Sequence, residues 1–330
     1  MKCAHMSPAG LTAIAIGIAF AIQSSAPDSN QAATVSKPPA SAAQAPAVRR
    51  VDNPVLHVEI TGHGRPLLLI PGLATSGEVW RDAVARLARD YECHAVTLGG
   101  FAGQPRYEGP FLDTARDSLL AYLRTRGLAR PVVVGHSLGG VLALRLAIAA
   151  PEAIGPVVVL DAVPFLGGLG QPQATAASVR SQMEPMRRMI AGQSQEAYAE
   201  FQRSSGHLRG IVTRPDDYAR VLAWASTSKP AAVADAMTDV YATDLREAVA
   251  AVRSPLLVLG SWYGFKDFTT REAVERNYRD QYARVPRWSF AMADSARHFL
   301  MLDDPDWTWG QTGRFLDSLA TAGSRAGAVR

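Results

Sequence analysis

Five residues, Gly135-His136-Ser137-Leu138-Gly139, carry the strongest chemical signal in the chain. A serine hydroxyl is a weak nucleophile until a neighbouring base takes its proton. Glycine two positions to either side permits a turn too tight for side chains, and such a turn lifts the serine clear of its surroundings. The preceding Pro131-Val132-Val133-Val134 reads as a buried strand, and 138–150 reads as a helix. A serine between a strand end and a helix start has free N–H groups and a positive dipole end behind it. The Leu138 N–H is then placed to stabilise an oxyanion. The chemistry predicted is acyl transfer through Ser137.

Such a serine needs a base, and position removes most of the seven histidines. His5 lies in the N-terminal segment, His57 and His63 near the first strands, His94 within a strand, His136 in the turn itself, and His207 in a helical region. His298 alone falls between the last strand and the last helix, where a loop reaches the sheet edge. It is the expected base. The base needs an orienting carboxylate, which the order Ser, Asp, His confines to strand ends between 137 and 298. Asp267, in the loop after 255–259, is the expected partner, with Asp161, after 156–160, as the alternative. The loop Pro71-Gly72-Leu73-Ala74 should give the second oxyanion donor, the Leu73 N–H ahead of Ala74.

These residues need a scaffold. From Val51 onward, short apolar runs alternate with helical patterns. Runs at 55–60 and 66–70 flank Gly62-His63-Gly64 and predict an opening hairpin. Helical spacing follows at 77–90, 112–126 and 138–150, with strands at 93–98, 131–134 and 156–160. All-apolar strands between helices predict a mostly parallel sheet covered on both faces. The alternation breaks near Pro164. Residues 165–250 read as a helical cap without strands, over the edge where open α/β sheets bind ligands. Strands at 255–259 and 288–292 and a helix at 305–319 complete the pattern. In the cap, Met183, Met186, Met189 and Ile190 read as a packing stripe. Phe201, Trp224, Tyr241, Trp262 and Tyr263 offer apolar pocket surface, while Arg187, Arg188 and Arg209 read as solvated.

The 330 residues are 48% hydrophobic and 19% charged, which suits a globular domain. A net charge of +4, with no basic cluster, does not point to a nucleic-acid partner. Leu11–Ile22 is an apolar run of 12 residues after Lys2. It is too short for the roughly 20 residues that span a bilayer. Ser24-Ser25-Ala26 follows with small-residue cleavage character, so 1–26 is expected to be a signal peptide and the protein periplasmic or secreted. Residues 27–50 read as a disordered linker, 51–320 as the folded domain and 321–330 as a flexible tail. The two cysteines are Cys3 and Cys93; only Cys93 lies in the folded domain, as a buried thiol. No metal-spaced cluster or dinucleotide loop occurs, so no cofactor is expected.

Ile70-Pro71-Gly72-Leu73 with Trp80, the 135–140 turn, and Arg297-His298-Phe299 with Asp304-Pro305 resemble the α/β-hydrolase superfamily over about 51–320. Lid-bearing esterases, lipases and proline-iminopeptidase-like enzymes look most similar. The resemblance implies the α/β-hydrolase fold and a triad of Ser137, Asp267 and His298. Three positions depart from the family pattern: Pro71 where His is usual, Thr97–Gly103 where an Asp-x-x-Gly-x-Gly stretch is common, and Arg297 where Gly often stands. The expected activity is hydrolysis of a small carboxylic ester through an acyl-enzyme. The alternative is an aminopeptidase or amidase, whose substrate amine would need acids such as Glu184, Glu196, Glu200, Asp216 or Asp217.

Overall fold

The computed structural model describes residues 48–171 and 173–327. The expected signal peptide and most of the expected linker lie outside them. Among the described residues eight strands form one sheet: β1 (Arg49–Asp52), β2 (Leu56–Gly62), β3 (Arg65–Ile70), β4 (Tyr91–Leu98), β5 (Val132–His136), β6 (Val157–Leu160), β7 (Leu256–Gly260) and β8 (Trp288–Met292). Their order is β1-β2-β4-β3-β5-β6-β7-β8. The pairs from β4 to β8 are parallel, while β1–β2 and β2–β4 are antiparallel. Every residue of β5, β6 and β7 is buried, as continuous apolar runs covered on both faces require.

The expected hairpin of 55–60 with 66–70 does not form. β4 lies between β2 and β3, pairing antiparallel with one and parallel with the other. Leu67–Ile70 is fully buried, so β3 belongs inside the sheet with β4 and β5 as neighbours. The hairpin is instead β1 with β2, closed where the Asn53 side chain accepts from the Val55 and Leu56 N–H groups. The exposed, charged Arg-Arg-Val-Asp strand has no apolar alternation, which is why 49–50 read as linker.

The flanking helices are α1 (Arg81–Leu87), α2 (Phe111–Thr125), α3 (Leu138–Ala149), α4 (Ala176–Ala191), α5 (Gln195–Ser205), α6 (Pro215–Thr227), α7 (Pro230–Ala242), α8 (Arg271–Tyr282), α9 (Leu300–Asp303) and α10 (Pro305–Gly327). Four of them, α4 to α7, form the insert between β6 and β7. Local chemistry starts each of these: Thr175 and Ser178 make a reciprocal capping box for α4, Ser194 caps α5, and Pro215 and Pro230 open α6 and α7. Helix α8 was not anticipated, because its sequence Arg-Glu-Ala-Val-Glu-Arg-Asn-Tyr-Arg-Asp-Gln-Tyr shows little apolar stripe; it buries Tyr278, Gln281 and Tyr282. Helix α10 runs to Gly327, beyond the expected 305–319 and into the segment expected as tail. No helix among the described residues is long and apolar enough to cross a membrane.

Candidate active site

Four adjacent strand ends build the site, those of β5, β6, β7 and β8. β5 ends at His136, and Ser137 follows with φ 53° and ψ −117°. A non-glycine residue held there costs about 1–3 kcal/mol and persists only where its surroundings enforce it. Here they do. The Ser137 N–H donates to the Leu160 carbonyl at 2.9 Å, and the Ser137 carbonyl accepts from the Gly140 and Val141 N–H groups. A Cβ at Gly135 would overlap the Gly139 carbonyl oxygen, and one at Gly139 would overlap that of Ile70. Space alone therefore requires both glycines.

Asp161 follows β6, the strand next to β5, and also has a positive φ of 47°. Its side chain is 6% exposed. Oδ1 accepts from the Ser261 N–H at 2.9 Å and from the Tyr278 hydroxyl. Oδ2 contacts Ser261 Oγ at 3.0 Å and His298 Nδ1 at 2.6 Å. Burial first, then the Asp161 charge, holds the Tyr278 phenol well above its usual range, so it keeps its proton and donates. Ser261 begins the chain after β7, so β7 and α8 together saturate the carboxylate.

This corrects the expected pairing. Asp267 does not meet His298. Its side chain is 74% exposed and pairs with Lys266 at 3.0 Å. The physical reason is topological. β6 sits between β5 and β7, so the first residue after β6 lies beside the serine turn, whereas a 3-10 turn at Tyr263–Phe265 separates Asp267 from the end of β7. The sequence did hold one signal: Asp161 abuts a wholly apolar strand with no intervening loop. The partners Ser261 and Tyr278 were not anticipated.

His298 stands in the loop between β8 and α9, as expected. Three contacts fix that loop. The Arg297 N–H donates to Asp303 at 2.8 Å, the Phe299 N–H donates to the Ile211 carbonyl at 3.2 Å, and His136 Nε2–H donates to the His298 carbonyl at 2.9 Å. Arg297, where glycine is usual, also donates from its guanidinium to the Arg209 and Val212 carbonyls of the insert. His136 is fully buried, and burial, then the neighbouring His298 charge, pushes its pKa well below the ordinary 6.5. It is therefore a neutral donor. A Cβ on Gly72 would come within 2.9 Å of its other nitrogen, which explains a glycine at 72.

Two cavities open on Ser137 and His298, and both also touch Leu166 and Val240. One, about 150 Å³, lies against the insert and is bordered by Leu73, Leu138, Met186, Tyr198, Gln202 and His207. The other, about 200 Å³, is bordered by Val163, Leu169, Phe265, Thr269, Val274 and Asn277. Asp161 is the only Asp, Glu, Lys or Arg among the described residues lining either. The Leu73 and Leu138 N–H groups make no hydrogen bond among the described residues, and both residues line the insert-side cavity together with Ala74. Of the residues expected to line a pocket, Phe201 and Tyr241 do so, whereas Trp224, Trp262 and Tyr263 do not. Met186 and Ile190 of the methionine stripe line the insert-side cavity, and Met189 is exposed. Cys93 is buried, which pushes its thiol up to about 12.

Residues 67–310 match the Alpha/beta hydrolase family. The chain belongs to that family. A pimeloyl-[acyl-carrier protein] methyl ester esterase of Nitrosomonas europaea is 30% identical over 263 residues, 76% of this chain and 95% of that protein. An N-formylmaleamate deformylase of Pseudomonas putida is 24% identical, over 78% of this chain and 90% of its own length. Among solved structures, a thermophilic esterase from Thermogutta terrifontis superposes with a TM-score of 0.67 at 17% identity, covering 82% of this chain and 98% of its own. The enol-lactonase of Burkholderia xenovorans gives 0.66 at 18% identity, covering 79% and 96%. At these identities the two structures speak for the fold alone. The sequence relatives are esterases and hydrolases, and they support hydrolase activity for this α/β-hydrolase.

Proposed function

We propose that this α/β-hydrolase cleaves small, uncharged carboxylic esters through an acyl-enzyme on Ser137. The observation that carries the reading is the 2.6 Å contact of His298 Nδ1 with the buried Asp161, beside a serine on a strained turn. With Nδ1–H donated to Asp161, His298 Nε2 is the acceptor. Ser137 Oγ attacks the ester carbonyl carbon as its proton passes to Nε2. The Leu73 and Leu138 N–H groups receive the oxyanion. Collapse breaks the carbon–oxygen bond, and the imidazolium protonates the departing alcohol. Water, deprotonated by the same nitrogen, attacks the acyl-enzyme and releases the acid and Ser137. Helices α4–α7 act as the cap, and their side chains form one pocket wall.

The lining favours a neutral substrate over a free amine. Glu184 pairs with Arg187, Glu200 with Arg203, and Asp217 with Arg214 and Arg220; neither these nor Glu196 and Asp216 line either of the two cavities on Ser137. The test is a panel of p-nitrophenyl esters of rising chain length beside proline and alanine arylamides. Esters should be turned over, and Ser137→Ala should lower kcat by about 10⁶-fold. A fluorophosphonate should label Ser137 in the wild type. Turnover of the arylamides alone, or labelling at another residue, would refute the proposal. We propose further that the protein is exported with cleavage near Ala26; an N-terminus at Met1 in a soluble cytoplasmic fraction would contradict this.

A further inference from the structure

Helix α5 turns two polar side chains toward the insert-side cavity. Tyr198 is 3% exposed and Gln202 5% exposed. They stand four residues apart, hence on one face of the helix. Both border the cavity that holds Ser137, Leu73 and Leu138. Buried polar groups in folded proteins almost always have a partner. Neither the Tyr198 hydroxyl nor the Gln202 amide has one among the described residues. Unlike Trp80 Nε1 and Ser226 Oγ, which are unpartnered and sealed inside the protein, they belong to residues that border a cavity. Burial holds the Tyr198 phenol well above its usual range, so it remains a donor. The surrounding wall is mostly apolar, with Met186, Ile190, Leu208 and Val221 beside His207, and among the described residues it holds no Asp, Glu, Lys or Arg.

We infer that Tyr198 and Gln202 recognise a second, non-scissile carbonyl oxygen on the substrate arm that lies under α5. A carbonyl oxygen has two lone pairs and takes one donor from each residue, the phenol O–H and the amide N–H. A carboxylate there would be buried without a permanent counter-charge from Lys or Arg among the described residues. A plain alkyl chain would leave both donors unpaired, and a site built for hydrogen bonds rejects such an analogue strongly. The substrate class is thus a neutral keto-, ester- or amide-bearing ester. This inference rests on the serine-hydrolase reading for its chemistry, but its recognition step is measurable without turnover.

The experiment compares p-nitrophenyl oxoalkanoates, with the ketone moved along the chain, against their methylene isosteres. A parallel series carries the ketone in the alcohol arm. The wild type should favour at least one keto ester in one series by about 10-fold or more in kcat/KM. Tyr198→Phe and Gln202→Met, checked for folding by thermal melting, should each reduce that ratio, and the double variant should bring it near one. Calorimetric binding of the same esters to Ser137→Ala should show the same preference without hydrolysis. Binding preference without any wild-type turnover would sink the catalytic proposal and leave this one standing. No preference at any ketone position in either arm, or a preference that survives in the double variant, would overturn it.

Discussion

Two aspartates follow neighbouring strands and have opposite fates. Asp161, one residue past β6, is 6% exposed and holds four contacts, to the Ser261 N–H and Oγ, the Tyr278 hydroxyl and His298 Nδ1. Asp267, in the loop past β7, is 74% exposed and touches Lys266. The difference fits the proposed role of Asp161, because a carboxylate that orients a base has two needs. It must be buried, so that its field on the imidazole is not screened, and held by donors on both oxygens, so that it does not move. An exposed pair such as Asp267–Lys266 is screened by solvent and fixes nothing else.

The largest test of this contrast is Asp161→Asn, which should lower kcat by about 10⁴-fold with little change in KM. Because an asparagine NH₂ would face existing donors, melting temperature must be measured in parallel. A drop in kcat no larger than that of Asp267→Asn, in folded protein, would reverse the assignment. Next in size is Tyr278→Phe, which keeps the ring and removes one donor to Asp161. It should lower kcat by about 10-fold, in line with the worth of a hydrogen bond to a charged group. An unchanged kcat would mean that Ser261 and His298 hold the carboxylate by themselves.

The buried side of the contrast also sets an acid limit on the fold. The unfolded chain takes up a proton at His136 near pH 6.5, whereas the folded chain, with the pKa pushed down by burial, does not. Stability is therefore full above that pH and falls as pH drops through it, by at most about 1.4 kcal/mol per pH unit from this residue. His94 and His207, also lowered mainly by burial, act in the same direction. Denaturant titrations between pH 7.5 and about 5 should show the decline, and His136→Asn should flatten it. A slope unchanged in that variant would assign the acid limit elsewhere. The smallest effect is expected from Asp267→Asn and Lys266→Ala, each within about twofold of wild type in kcat. A larger loss would show that this loop does more than wall the α8-side cavity through Phe265.

The sequence alone determined what is local. The serine turn, its glycines and the strand and helix around it are written in adjacent residues, and apolar runs identify the parallel strands because burial on both faces leaves no room for polar side chains. The place of His298 at the sheet edge was reachable too, since a loop between the last strand and the last helix has few places to go. The charged strand β1 and the polar helix α8 were hidden because neither carries a periodic apolar pattern. Strand neighbours were not legible either: β4 enters between β2 and β3, and β6 between β5 and β7, through pairings that no local run of residues encodes. Only the tertiary structure shows that Asp161, and not Asp267, meets His298. Both follow apolar strands, and the choice depends on which strand end lies beside the serine and which donors from β7 and α8 converge there.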